Sequence, residues 1–250
     1  MSLGYDFSCA TLSQEGKIYQ LEYAEKAIEN SPTVLGVVCA DGVILASEKI
    51  KTSKTLVSGS NPTIYSITPK IGMAVCGYLP DGRNLVTRAR TEAKDYLKNF
   101  GVEISGKILA DRMAFYVQSH TLYWSMRPFG AVAMISSWEK DSTPHLFMVE
   151  SNGNAFEYYG CAHGKGRQFV KNEIEKNNFE LKTKTVQNAL RDVLKILIKS
   201  YEGEKETEYD VSIISKNETN TIHKLVNGEI KDEIRRIKEE NEADRKMQVD

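Results

Sequence analysis

No window of the 250-residue chain approaches the run of about 18 apolar residues that a membrane-spanning helix requires, so a membrane span is not expected. The first ten residues, MSLGYDFSCA, lack the basic start and apolar core of a secretory leader, and this points to a cytosolic or nuclear address. Cysteine is scarce. Cys9, Cys39, Cys76 and Cys161 stand far apart, with no CxxC pair and no His at ligand spacing, so neither a zinc site nor a disulfide framework is signalled and all four read as reduced thiols. Net charge is nearly absent as well: 33 Lys+Arg against 34 Asp+Glu leave −1, which gives no global attraction to nucleic acid or anionic membrane. The 6 prolines and 17 glycines form no linker, and no repeat or low-complexity tract interrupts the chain. Asn217-Glu218-Thr219 fits a glycosylation triplet, but without a leader it reads as a polar loop.

What remains is an ordinary folding composition, 41% hydrophobic and 27% charged, with length enough for two small domains or one large layered one. Ile18, Leu21, Ala24 and Ile28 recur at helical spacing over residues 18–30, and Ser31-Pro32 supplies a stop. Two β-branched runs, VLGVVCA and VILASEK, flank Ala40-Asp41-Gly42 as a hairpin. Short strands over 64–67 and 72–76 follow, and with the hairpin they read as a first antiparallel layer. Helices are expected over 81–100, with Asp81 as cap and Gly101 as end, and over 105–122. Strands AVAMISSW, HLFMVES and AFEYYG, with turns at Asp141, Pro144 and Asn152-Gly153, read as a second layer. Two more helices, over 166–177 and 185–200, precede a last strand pair at DVSIIS and 221–226. This order excludes simple βαβ alternation and suits an α+β, four-layer αββα sandwich of two antiparallel sheets. Residues 229–250 place Ile230, Ile234 and Ile237 on one helical face among dense charges, which fits a docked helix or a solvated tail.

Three segments resemble one family. Tyr5-Asp6-Phe7-Ser8, with Gly16-Lys17-Ile18-Tyr19-Gln20-Leu21-Glu22-Tyr23-Ala24 and Ala27-Ile28, resemble the N-terminal signature of α-type subunits of the 20S proteasome. Tyr123 with Arg127-Pro128-Phe129-Gly130 resembles that family's segment entering the second sheet, and Gly160-Cys161-Ala162-His163-Gly164 its strand-to-helix junction. The resemblance spans residues 4–228, and the charged extension looks most like that of the seventh-position α subunit of the ring. It implies the N-terminal-nucleophile sandwich fold and three parts: a gate segment over 1–12, a sandwich domain over 13–228 and a charged tail over 229–250.

The resemblance also implies a role. The α subunits of that family form a hetero-heptameric ring on each end of the barrel, contact the catalytic β ring, receive regulatory caps and serve ubiquitin-dependent degradation in cytoplasm and nucleus. No cofactor, nucleic acid or membrane partner is implied. By position, Tyr5, Asp6 and Phe7 fall on the gate motif, where Phe7 replaces a family Arg, and Gln14 replaces the Pro of the tail-positioning turn. Tyr23 matches a gate-supporting tyrosine, and the face bearing Ile18, Leu21, Ala24 and Ile28 falls on the helix that meets the β ring. Pro62-Thr63 falls where the family has an activator-binding Lys, so the pocket there is expected to be weak or unused.

Catalysis in that fold needs a Thr whose own freed amine activates its hydroxyl. Laid on the active pattern, the hairpin puts Pro32 at the nucleophile, Thr33 one step later, Glu48 at the catalytic Asp and Thr63 near the catalytic Lys. A silent subunit is expected. The alternatives are a self-processed threonine peptidase using Thr33, a stand-alone binding module using the tail, and a metal enzyme using His120, His145, His163 and Cys161.

Overall fold

Runs of consecutive buried residues in most strands, together with one apolar stripe on each long helix, require layers covered on both faces. The computed structural model describes residues 7–139, 143–201, 203, 206–215, 222–226 and 230–247. Tyr5, Asp6, Asp141, Asn217-Glu218-Thr219, Thr221 and the 228/229 boundary lie outside the described residues.

Helix α1 (Tyr19–Glu29) leads into β1 (Val34–Cys39) and β2 (Gly42–Ile50), paired through the tight turn at Ala40-Asp41. After a long loop come β3 (Ile64–Thr68) and β4 (Ile71–Gly77), then helices α2 (Leu79–Phe100) and α3 (Gly106–Leu122). Strands β5 (Ala131–Trp138), β6 (Pro144–Val149), β7 (Ala155–Glu157) and β8 (Gly160–His163) follow, then α4 (Arg167–Thr183) and α5 (Val186–Lys199). The chain closes with β9 (Thr207–Ser215), β10 (Ile222–Leu225) and α6 (Lys231–Met247).

All described pairings are antiparallel, in the orders β10-β9-β2-β1-β8 and β3-β4-β5-β6-β7. The αββα sandwich expected from the element order is therefore present, but the division of strands between its layers is not the one expected. The strands before α2 do not form one layer: the loop from Lys51 to Thr63 carries the chain across, so β2 pairs with β9 and β4 with β5. The segment AFEYYG is likewise not one strand. Tyr158 N donates to Leu146 O at 2.8 Å while Tyr159 O accepts from Val38 N at 2.8 Å, so the backbone changes sheets between adjacent residues.

Three apolar clusters hold the layers. Val43, Leu45, Ala74, Met134 and Leu146 fill the space between the sheets, and Ile28 of α1 joins them. Val75, Leu85, Ala89, Leu109 and Met113 bind α2 and α3 to the second sheet. Leu35, Ile44, Val193 and Leu197 bind α5 to the first, and Ile230 and Ile237 extend that cluster to the start of α6 and beyond. Each such large side chain, fully buried, contributes about 1.5–3 kcal/mol. Ion pairs from Arg191 to Glu233 (3.2 Å) and Glu240 (2.7 Å), and from Lys195 to Glu240 (3.3 Å), line the α5–α6 contact.

Two acidic residues do work that the sequence pattern assigns elsewhere. Asp81, expected to cap α2, does not do so: the helix starts earlier, at Leu79, with Pro80 in its first turn, and the Asp81 carboxylate turns to Arg127. Asp41, in the β1–β2 turn, accepts from Val186 N at 2.7 Å and so caps α5, whose own Thr185 makes no such bond.

Candidate functional site

The N-terminal segment enters the described residues at Phe7, whose ring is 79% exposed. Cys9 is buried and its thiol lies 3.9 Å from Met126 O, which places this segment against the loop preceding β5. Residues 13–17 form a turn: Gly16 N donates to Ser13 O (2.9 Å), Ser13 N to Lys17 O (2.9 Å), and Lys17 N to the Ser13 hydroxyl (3.0 Å). Gln14 sits inside this turn, and the Ser13 hydroxyl closes it without a proline ring.

Helix α1 presents two different surfaces. Ala24 and Ile28 are buried, Ile28 in the core between the sheets, so half of the apolar face read from the sequence is covered by the chain's own strands. Ile18 and Leu21 are half-buried. Tyr23 is 45% exposed, with its ring stacked on Tyr19 and Lys26 above it.

The segment before β5 is tied to the start of α2. Arg127 grips Asp81 with two bonds of 2.6 and 2.7 Å, Gly130 N adds a third to the same carboxylate at 2.9 Å, and Tyr78 N donates to Gly130 O at 2.7 Å. Burial alone pushes the Asp81 carboxyl up, but the Arg127 and Gly130 donors together hold it below its usual range. Phe129 packs beneath on His120 and Tyr116, while Tyr123 and Trp124 stay exposed.

Thr63 does not face solvent. It is buried, and both its backbone N–H (3.0 Å) and its hydroxyl (3.1 Å) donate to Asp210, whose other oxygen meets Lys49 at 2.8 Å. The Thr63 hydroxyl is thus committed to β9 and helps tie the two sheets together. Pro62 O accepts from the Tyr65 hydroxyl at 2.7 Å. Lys70 pairs with Glu103 at the surface, and Lys54 is exposed.

One step after the position matching the nucleophile, Thr33 is buried, and its Oγ1 accepts from Gly166 N at 3.0 Å. Glu48 is buried beside it, and burial raises its carboxyl against the pull of the Thr33 donors and of Lys165 and Lys238. Gly164, at φ 98°, lets the chain pass the Ser31-Pro32 carbonyls, which an added Cβ would meet at 2.5–2.9 Å.

The histidines do not assemble. His120 stacks on Phe129, His145 bonds Glu157 at a sheet edge, and His163 is buried next to Cys161 on β8, with burial pulling its pKa down to about 4. Among the described residues no group of three or more His, Cys, Asp or Glu is placed to hold a metal, and no helix is long and apolar enough to cross a membrane. Sequence reasoning missed Asp210 and Lys49, because a hydrogen bond spanning 147 residues leaves no local pattern. It also missed the anchoring role of Asp81, although the Arg127 motif was a visible cue.

Comparison with known proteins agrees with this geometry. The family model described as proteasome subunit matches residues 28–214, and the model for the N-terminal signature of A-type proteasome subunits matches residues 5–27. The probable alpha type-7 proteasome subunit of Schizosaccharomyces pombe is 42% identical over 250 residues, 98% of this chain and 97% of the relative. The alpha type-3 proteasome subunit is 43% identical in Oryza sativa subsp. japonica (84% of this chain, 83% of the relative) and 41% in Dictyostelium discoideum (92% of each). A signature over α1, a domain match across both sheets and relatives aligned along most of their length leave one assignment: the chain belongs to the proteasome subunit family, in its α-type branch.

Proposed function

We propose that this chain is a non-catalytic subunit of the outer α ring of the 20S proteasome, contributing to the axial gate and to the surface that receives regulatory caps. The observation that carries this reading is the state of Thr33: it is buried and its hydroxyl accepts from Gly166 N, so it does not present the exposed oxygen that threonine catalysis requires. The α1 signature, retained and packed into the core, supports the same conclusion.

Within the ring, Tyr5 and Asp6 supply a ring and a carboxylate for hydrogen bonds between neighbouring tails. Phe7 supplies no guanidinium, so one inter-tail salt bridge is missing on this side. The turn at Gln14, closed by Ser13, aims the tail, and exposed Tyr23 supports it. Ile18 and Leu21, together with Tyr123 and Trp124, are apolar surface for the β ring or a neighbouring α subunit. The Pro62-Thr63 segment is a poor seat for an activator carboxylate, since its hydroxyl is bound to Asp210 and it carries no charge. The assembly works in cytoplasm and nucleus, in ubiquitin-dependent degradation.

The test is sedimentation of a lysate containing the tagged full chain. The chain should travel in a large particle with peptidase activity and other α and β subunits; a stable monomer would contradict the assignment. Replacing Ile18 and Leu21 together by Asp should shift the chain out of the particle while leaving it folded.

A further inference from the structure

A cavity of about 60 Å³ lies between α1 and the turn joining β6 to β7, and neither Thr33 nor Pro62-Thr63 lines it. Glu25 and Glu29 of α1, Glu150 and Ser151 of the turn, and Arg167 of α4 surround it. The turn is held in place: Glu150 N donates to Asn154 O at 2.9 Å, and Gly153, at φ 88°, packs so closely on α3 that an added Cβ would sit 2.7 Å from Gln118 Cβ. Among the described residues Glu25, Glu29 and Glu150 form no ion pair. Burial, then Glu150, Glu29 and Glu22, push the Glu25 carboxyl up, and Arg167 alone pulls against them. Like charges are thus gathered here without a matching set of cations. A second observation concerns Ser151. The residue is 2% exposed and its hydroxyl has no partner among the described residues, yet that oxygen is not sealed off from the cavity it lines. A buried hydroxyl without a partner costs free energy that an incoming donor recovers.

Both observations ask for a cation that also donates hydrogen bonds. Size decides which one: a cavity with room for little more than a pair of waters admits a compact ammonium more readily than a planar guanidinium. Its source follows from the helix it is built on, which also carries half-buried Ile18 and Leu21 and exposed Tyr23, the surface proposed to meet other subunits. We propose that this cavity is a socket for a lysine side chain of another subunit of the particle, its ammonium held by Glu25, Glu29, Glu150 and the Ser151 hydroxyl. The socket rests on the reading of the chain as an α-ring subunit. Arg167 offsets part of the acidic charge, and the carboxylates left in excess are balanced by the incoming lysine.

Zero-length carbodiimide coupling, which joins a carboxylate to an amine in contact with it, tests this on the native particle isolated through a tag on the full chain and freed of regulatory caps. Mass spectrometry should recover Glu25, Glu29 or Glu150 joined to a lysine of another subunit. The surface pairs Lys184–Asp192 (2.9 Å) and Lys176–Glu173 (2.8 Å) report within the same chain that coupling works. Replacing Glu25, Glu29 and Glu150 together by Gln should remove the product and shift release of the chain from the particle to lower salt. If that variant fails to fold, coupling of the unsubstituted chain decides alone. Coupled surface pairs with no product to another subunit, a product only to Lys26 of the same chain, or unchanged salt release in a folded variant would each overturn the socket and leave the ring reading standing. A chain recovered only as a free monomer would overturn the ring reading and the socket with it.

Discussion

Asp81 holds three donors at once, two from Arg127 and one from Gly130 N, and this fixes its titration. Its folded pKa lies below the unfolded value near 3.8, so the unfolded state binds more protons between the two and stability rises with pH there. That stability is present above the unfolded pKa and is lost as pH falls through the folded one. Asp81→Asn should lower stability by about 1–3 kcal/mol at neutral pH and flatten the acid limb of a urea-denaturation series. An unchanged acid limb would show that the tie is not formed in solution. His163 and His223 act in a different window. Both are buried and depressed to about 4 from 6.5, so their stability is complete above 6.5 and declines as pH falls toward 4. At pH 5 each should cost on the order of 2 kcal/mol, read as a loss of urea midpoint relative to pH 7.5. Thr63 is the third residue with a definite expectation. Thr63→Val removes the hydroxyl donor to Asp210 and should cost about 1 kcal/mol, while peptide hydrolysis stimulated by activator C-terminal peptides stays unchanged. A fall in that stimulation in a folded variant would put an activator carboxylate at this position.

At the level of elements, helix α1 shows why a correct periodicity does not by itself assign an interface. The spacing of Ile18, Leu21, Ala24 and Ile28 predicts the helix, since apolar positions three and four apart share a face. It does not say which of the four meet the chain's own sheet, because that depends on where the helix axis lies over β4 and β5. Ile28 is 1% exposed, so Ile28→Ala should cost about 2–5 kcal/mol and be seen as a lowered thermal midpoint of the chain. Ile18→Ala should leave that midpoint nearly unchanged and act only on assembly. At the other end, the sequence leaves α6 open between docked helix and solvated tail. Ile237 is fully buried against α5, which resolves the described part in favour of docking.

For the whole molecule, the αββα order is legible because hydrophobic period switches between 3.6 and 2 along the chain, and because turn residues such as Asp41-Gly42 and Asn152-Gly153 punctuate it. Sheet membership is not legible. Pairing β2 with β9 joins residues far apart in sequence, and the passage at Tyr158-Tyr159 changes layers within a segment that reads as one continuous strand. The family segments at 16–28 and 127–130 are readable as a resemblance, whereas the polar tie of Thr63, Asp210 and Lys49 appears only once three strands meet. The same layering places Thr33, one step after the position matching the nucleophile, just before a strand start, with Gly166 N donating to its hydroxyl, and gives that side chain a structural part. Intact-mass analysis of this chain released from the native particle decides whether it is a silent α-ring subunit. A silent subunit has a mass in which Pro32 and Thr33 are still joined; a chain beginning at Thr33 would contradict it.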